Sequence, residues 1–237
     1  MSFLENALDR VARLFVPIHP DGHRFIAIAV VVTLVLLIFS ETLGWLAVLA
    51  TAWLIFFFRD PERVVPMREG LVVAPADGRV IAVEEVTPTS ELDLGIDAHM
   101  RVSIHLSLFD MHIQRAPIAG TLVHAVYLPG SFGGVRRDKA HEDNERNAMT
   151  FEAEGGTRVA AVQIAGGIRR RIVTFVETGS RIGVGERFGL IRFGSRVDMY
   201  VPRTAGVLVA VGQTMIAGET VVCDLRTEEM ERTARAV

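Results

Sequence analysis

The chain has 237 residues, half of them hydrophobic, and a formal net charge of -3. That balance supplies no basic surface of the kind nucleic-acid binding needs, so nucleic acid is excluded as the main partner. The single cysteine, Cys223, excludes an internal disulfide, argues against a thiolate metal cluster and fits a reducing compartment.

Residues 1–24 open with Phe3, Leu4, Leu8, Val11, Leu14 and Phe15 at helical spacing. This pattern predicts an amphipathic segment that lies on a membrane surface or packs on the rest of the protein. Residues 25–58 form a hydrophobic membrane hairpin in this reading. Phe25 to Phe39 and Trp45 to Phe58 are apolar, and Ser40-Glu41-Thr42-Leu43-Gly44 interrupts them. Each run is slightly short for a spanning helix. Arg10, Arg13 and Arg24 precede the hairpin and Arg59, Arg63 and Arg68 follow it, while the central turn has no arginine or lysine. The positive-inside rule then puts both ends in the cytoplasm, which predicts the cytoplasmic face of the cell membrane. The apolar part is doubled and starts late, so a cleaved signal peptide fits poorly. The remaining alternative is a buried hairpin of a soluble protein.

Residues 59–237 read as a β-rich domain. Strands are expected at Leu71–Val73, Arg79–Val83, Arg101–Leu108, Thr121–Tyr127, Met149–Ala153, Arg158–Ile164, Ile172–Val176, Phe188–Phe193, Val197–Val201, Val207–Val211 and Glu219–Val222, with glycines between them. The tail after Asp224 is a candidate short helix. The fold class is therefore mainly β: a hairpin sandwich, barrel-sandwich-like, behind an N-terminal membrane-associated helical hairpin. Two phrases look like repeats, Ala74-Pro75-Ala76-Asp77-Gly78-Arg79-Val80 and Ala116-Pro117-Ile118-Ala119-Gly120-Thr121-Leu122. Lipoyl- and biotinyl-carrier domains have a similar rhythm, but no carrier lysine sits between such hairpins here. Pro129 to Asn147 is Gly-rich and then charged, and reads as a long loop.

Lysine occurs only at Lys139, in the polar run Arg136-Arg137-Asp138-Lys139. An arginine-preferring genome explains the bias equally well, but either way a pyridoxal cofactor has almost nowhere to attach. Amine chemistry would need another electron sink. Gly194-Ser195 offers one. It lies between two apolar, strand-like stretches, where strain can gather on a peptide bond beside a hydroxyl. The Ser195 hydroxyl can attack the Gly194 carbonyl and turn the amide into an ester. Elimination leaves dehydroalanine, and hydrolysis gives ammonia and a pyruvoyl group at position 195. A general base must take the hydroxyl proton, and the natural choice is a histidine oriented by a carboxylate. His112 and Asp77 are the candidates. Each has an ordinary alternative, as a structural strand-end histidine and as hairpin-turn chemistry.

Phe57-Phe58-Arg59-Asp60-Pro61-Glu62-Arg63, Pro75-Ala76-Asp77-Gly78, Asp110-Met111-His112-Ile113-Gln114-Arg115-Ala116-Pro117 and Phe193-Gly194-Ser195 together resemble phosphatidylserine decarboxylase, in its short form. The resemblance runs over essentially the whole chain. It implies a pyruvoyl-dependent, self-cleaving enzyme that converts phosphatidylserine to phosphatidylethanolamine at a membrane. Ser195 would be the precursor of the covalent pyruvoyl cofactor and Gly194 the end of the large chain. Asp77 and His112 would support self-cleavage, with His112 also assisting decarboxylation. The large and small chains would stay together, and homo-oligomerisation is left open. Two departures stand out: longer relatives have Leu-Gly-Ser-Thr at the cleavage site, and a second histidine where this chain has Arg115. Arg115 is a candidate contact for the substrate's phosphate or carboxylate. Asn144, Glu145 and Arg146 fall where relatives carry a similar polar triplet and are candidate pocket edges, with Asn144 and Arg146 as substrate contacts.

Other classes remain to be weighed. One is a non-catalytic, membrane-anchored β-domain that scaffolds partners. Another is a pyruvoyl decarboxylase of a soluble amino acid, which would need no anchor. A metal hydrolase using His105, His112 and Asp110 is the weakest, because no compact ligand motif is present and no metal site is expected.

Overall fold

The computed structural model describes residues 16–130, 144–166, 172–192 and 195–226. The chain divides into two compact units, Met1–Glu62 and Arg63–Val237. Of the expectations above, the first fifteen residues, Lys139, Gly194 and the tail beyond Arg226 lie outside the described residues.

The first unit is a helical hairpin, α1 (Pro20–Phe39) and α2 (Glu41–Phe57). Pro20 begins α1, where a missing amide proton costs nothing, and the His19 ring accepts from the Asp21 amide. The connection is shorter than the sequence suggested. Ser40 alone ends α1 and caps α2, and Glu41 to Gly44 already belong to α2. The helices pack closely because Gly44 sits against Leu37, and the Thr33 and Thr51 hydroxyls pair at 2.9 Å between them. Outward-facing Ile28, Val31, Leu34, Ile38, Phe39, Trp45 and Leu49 are exposed. By length and composition α1 is able to cross a membrane; α2 is a shorter apolar helix. Residues 59–62 go with the hairpin: Asp60 N–H donates to the Pro17 carbonyl at 2.7 Å, and Arg59 bridges to Ile18.

The second unit is built of strands: β1 (Leu71–Val73), β2 (Gly78–Val86), β3 (His99–Leu106), β4 (Ile113–Arg115), β5 (Gly120–Leu128), β6 (Arg146–Glu152), β7 (Arg158–Ala165), β8 (Ile172–Thr174), β9 (Arg181–Ile182), β10 (Arg187–Ile191), β11 (Ser195–Pro202), β12 (Gly206–Val207), β13 (Thr214–Met215) and β14 (Val221–Asp224). A curled eight-stranded sheet has the order β13-β2-β3-β11-β7-β6-β5-β9, and two three-stranded sheets have the orders β1-β14-β12 and β4-β10-β8. The mainly β class is as expected. The short strands β4, β9 and β13 escape sequence reading because two or three residues show no alternation. Val207–Val211 shrinks to β12, since the chain turns after Leu208 pairs with Val222. Arg146 and Asn147 are not loop residues but the start of β6.

Alternation gives the core. Val102, Ile104 and Leu106 of β3, Val197, Met199 and Val201 of β11, and Val159 and Ala161 of β7 are buried on one face, with Phe151 and Phe188 packed at 5.4 Å between centroids. Burying each large side chain contributes about 1.5–3 kcal/mol.

The two repeat-like phrases are related in the fold. Val73 N–H donates to the Pro117 carbonyl and Arg115 N–H to the Pro75 carbonyl, both at 2.9 Å. Ala74 exchanges hydrogen bonds with Thr220 and Gly218; Ala116 does the same with Glu186 and Gly185. Val80 exchanges them with Gln213 and Gly212, and Leu122 with Ser180 and Gly179. Each phrase is thus a hairpin arm clasped by its own glycine-bounded loop. Both need their central glycine: a Cβ would stand 2.2 Å from the His105 carbonyl oxygen at Gly78 and 2.1 Å from that of Glu152 at Gly120.

Gly120→Ala is therefore expected to lose about 3 kcal/mol of stability, whereas Gly155→Ala, with nothing within 4 Å of the added atom, leaves it nearly unchanged. Thermal melts of the two purified variants check this, and equal melting temperatures would contradict it.

Candidate active site

The turn between β1 and β2 carries Asp77 into the interior, where it is 8% exposed. The Arg63 guanidinium donates through Nη2 to both carboxylate oxygens, at 3.0 and 2.8 Å, and the Ala217 N–H donates to Oδ1 at 2.7 Å. Burial pushes the Asp77 pKa above the ordinary carboxylate value; the Ala217 amide and Arg63 pull it back, and nearby Asp110 adds to the rise. The pseudo-repeat is broken at this point, because the other hairpin has Ala119 where this one has Asp77.

The same Arg63 nitrogen lies 3.2 Å from the sulfur of Met111, the residue before His112. Arg63 therefore ties the Asp77 turn to the His112 turn. His112 is buried, at 1% exposure. Its Nδ1 donates to the main-chain carbonyl of Asp110 at 2.9 Å. That bond assigns the Nδ1–H tautomer and puts the lone pair of the neutral ring on Nε2, the arrangement a general base requires. The partner found at Nδ1 is thus a backbone carbonyl. The carbonyl of His112 accepts from the Ile191 N–H at 2.9 Å and from Gln114 Nε2 at 2.8 Å. Ile191 ends β10, so the His112 turn is fastened to the strand that leads to Gly194.

Beyond that point Ser195 begins β11, with its backbone opposite Leu106 of β3 and Ala165 of β7. The peptide bond between residues 194 and 195 therefore lies in the passage from the β4-β10-β8 sheet to the eight-stranded sheet. Ala165 N–H in turn donates to the Glu145 carbonyl at 2.9 Å, which brings residues 144–146 within one strand of Ser195. The Glu145 carboxylate accepts from the Tyr127 hydroxyl at 3.0 Å and the Ile172 amide at 3.2 Å. Asn144 lies just before β6, and Arg146 Nε donates to Glu91 at 3.0 Å. Arg115 is buried and donates from Nη1 to the Gly185 carbonyl at 2.9 Å.

Sequence reading missed the part played by Arg63, although the residue closes the Phe-Phe-Arg-Asp-Pro-Glu-Arg phrase. It also missed Gln114, Gln163 and Asn147, which form a buried chain of amides. Gln163 carried a signal: it is a polar residue in phase with Val159 and Ala161 on the inward face of β7. Among the described residues no three His, Cys, Asp or Glu side chains are grouped to hold a metal, so His105, His112 and Asp110 form no such site. A cleft of about 810 Å³ is lined by Arg68, Glu69, Glu154, Arg181 and Glu186 among others, but by neither Asp77 nor His112.

Residues 50–223 match the family model of phosphatidylserine decarboxylase. The phosphatidylserine decarboxylase proenzyme of Xanthobacter autotrophicus is 52% identical over 227 residues, covering 96% of this chain and 97% of that one. The proenzyme of Cereibacter sphaeroides is 47% identical over 230 residues, covering 97% and 99%, and that of Ruegeria pomeroyi is 50% identical over 210, covering 89% and 96%. Asp77, His112, Gly194 and Ser195 all fall inside the matched span, and with likeness running from end to end the chain belongs to the phosphatidylserine decarboxylase family.

Proposed function

We propose that this chain is a membrane-bound proenzyme that cuts itself between Gly194 and Ser195 and then decarboxylates phosphatidylserine to phosphatidylethanolamine. The observation that carries the reading is the seat of Ser195. It heads a strand bonded on both sides, with the His112 turn fastened to the strand that arrives from the other direction. Scission there would leave the new chain end held in a sheet, and the turn fastened to β10 carries a histidine in the tautomer of a base.

In the self-cleavage, His112 Nε2 takes the proton of the Ser195 hydroxyl as its oxygen bonds to the Gly194 carbonyl carbon, and the peptide C–N bond breaks to give an ester. Elimination returns the carboxylate of Gly194 and leaves a double bond in residue 195. Water then releases ammonia and leaves a ketone. The residues fit such a group, because β11 is paired with β3 and β7 from Ser195 onward and those bonds would hold the new chain end in the sheet after the cut. At position 195 the pyruvoyl group would supply an electron-accepting carbonyl for loss of the substrate's carboxylate. His112 then returns a proton to the substrate carbon. Asp77 and Arg63 hold the His112 turn in place. Arg115, Asn144 and Arg146 are the candidates for the substrate's charged head, Arg115 with one nitrogen given to Gly185 and Arg146 engaged by Glu91. The apolar helices α1 and α2 would keep the site at the bilayer, with both ends on the cytoplasmic side, so that the acyl chains need not leave the lipid.

Mass spectrometry of the denatured protein should give two chains that co-elute under native conditions; a single uncut chain with full activity refutes the proposal. Ser195→Ala should remain one chain and release no carbon dioxide from phosphatidylserine vesicles above background, while the wild type should prefer those vesicles to free serine or aspartate. His112→Ala should slow self-cleavage by about a hundredfold or more, read as precursor loss on gels.

The Arg63–Asp77 pair supplies a pH test. Breaking a buried pair costs about 3–5 kcal/mol. The Asp77 pKa in the folded chain lies above the ordinary value, so the native state binds the proton more tightly than the unfolded state. Its ionisation therefore opposes folding, and stability falls as pH rises through that window. Without Arg63 the native pKa rises further. Arg63→Met should thus be less destabilised at about pH 5 than at about pH 8, as read from urea melts; the reverse order would contradict this assignment.

A further inference from the structure

Three buried amides run as a chain through the core. Asn147 Nδ2 on β6 donates to Gln163 Oε1 on β7 at 2.9 Å, Gln163 Nε2 donates to Gln114 Oε1 on β4 at 2.8 Å, and Gln114 Nε2 donates to the His112 carbonyl at 2.8 Å. Asn147 is 3% exposed and both glutamines 0%. Polar groups this deep are costly unless each finds a partner, and their neighbours on the inward face are Val159, Ala161, Val197 and Met199. Apolar side chains of similar size would fill the space without that demand. The direction of the chain is set from its end, because a carbonyl only accepts, so Gln114 must present its NH2 group to His112 and its oxygen to Gln163.

The chain touches every element around the scissile bond. Gln114 follows His112 by two residues. Gln163 stands opposite Val197 of β11, two residues after Ser195. Its amide also lies on β10: a Cβ at Gly189 would be 2.6 Å from Gln163 Nε2, so only glycine lets the side chain pass. The strand that enters the cut, the strand that leaves it and the turn that bears the base are thus linked through Gln163 and its partner Gln114.

We propose that Gln114, Gln163 and Asn147 are positioning residues for self-cleavage, holding the His112 turn in register with the ends of β10 and β11. This rests on the reading that the chain cuts itself at Gly194–Ser195. The amides touch neither the reacting bond nor the substrate; they act through the His112 carbonyl and the two strands. Their effect belongs to the scission step, whose geometry is demanding, more than to lipid binding.

The test uses full-length Gln114→Met and the double variant Gln114→Met/Gln163→Met, the second removing donor and acceptor together so that neither is left unmatched between them. Conversion of precursor to two chains is followed after synthesis and expressed per folded molecule, with the folded share taken from gel filtration and melting. Loss of one oriented hydrogen bond should slow conversion about tenfold or more. The double variant should be no slower than Gln114→Met, as for groups acting as a unit, and the cleaved fraction should keep the wild-type KM for phosphatidylserine vesicles. Conversion at the wild-type rate per folded molecule overturns the proposal. So does a KM that rises with no change in conversion, which would make the amides part of the lipid site. A wild-type chain that stays whole, or is cut elsewhere, refutes the underlying reading instead.

Discussion

Everything in the second unit is arranged around β11, which lies in the middle of the large sheet and is hydrogen-bonded to β3 along its whole length and to β7 from Ser195 to Tyr200. Its inward residues Val197, Met199 and Val201 are completely enclosed. A strand with two partners and an apolar face is tightly held, and its first residue is paired on both sides. The strand before it, β10, belongs to a different sheet. The chain therefore changes sheet between Ile191 and Ser195, next to the bond where this family's chemistry is proposed to begin. The segment after Ser195 is too short to enclose a core of its own, so its pairing with β3 and β7 is also what would keep two chains together.

Around this junction the interior departs from the apolar norm. Arg63 and Asp77 form a largely enclosed ion pair, and three amides cross from β6 to β4. Ion pairs and amides in such places stabilise little compared with well-packed hydrocarbon. What they provide is direction: an amide chain has one satisfied orientation, and a carboxylate bound by Nη2 and a backbone N–H has one seat. The solvent-exposed pairs of the outer surface, such as Arg158 with Asp93 and Glu152, are of the kind that contributes little. Cys223 belongs with the inert interior, since burial pushes its thiol far above the range where thiolate forms.

The hairpin arms show how a repeated pattern can serve two ends. Both Ala-Pro phrases make the same backbone bonds and need glycine at the same point. Only the first carries a carboxylate on the arm itself, and the Ala217 amide of its clasping loop donates to it. One arm is architecture; its counterpart is architecture with a charged group inserted. The sequence displayed the repeat, and Gly179–Glu186 and Gly212–Glu219 also share Gly, Gly and Glu at matching positions, but which arm each loop clasps is decided by hydrogen bonds between distant segments.

The amino-acid sequence by itself determined the class of fold, the apolar hairpin, most longer strands, and the motifs at Asp77, His112 and Gly194–Ser195. These are local signals, written as periodicity, turn chemistry and short phrases. Tertiary structure alone decided that Arg63 holds Asp77 and reaches Met111, that His112 leans on the Asp110 carbonyl, that β4 exists at all, and that Gln114, Gln163 and Asn147 form one chain. The His112 contact is local but turns on the exact shape of its turn; the others join residues far apart along the chain, and pairing between distant segments depends on the register in which sheets close, which no single stretch of sequence records.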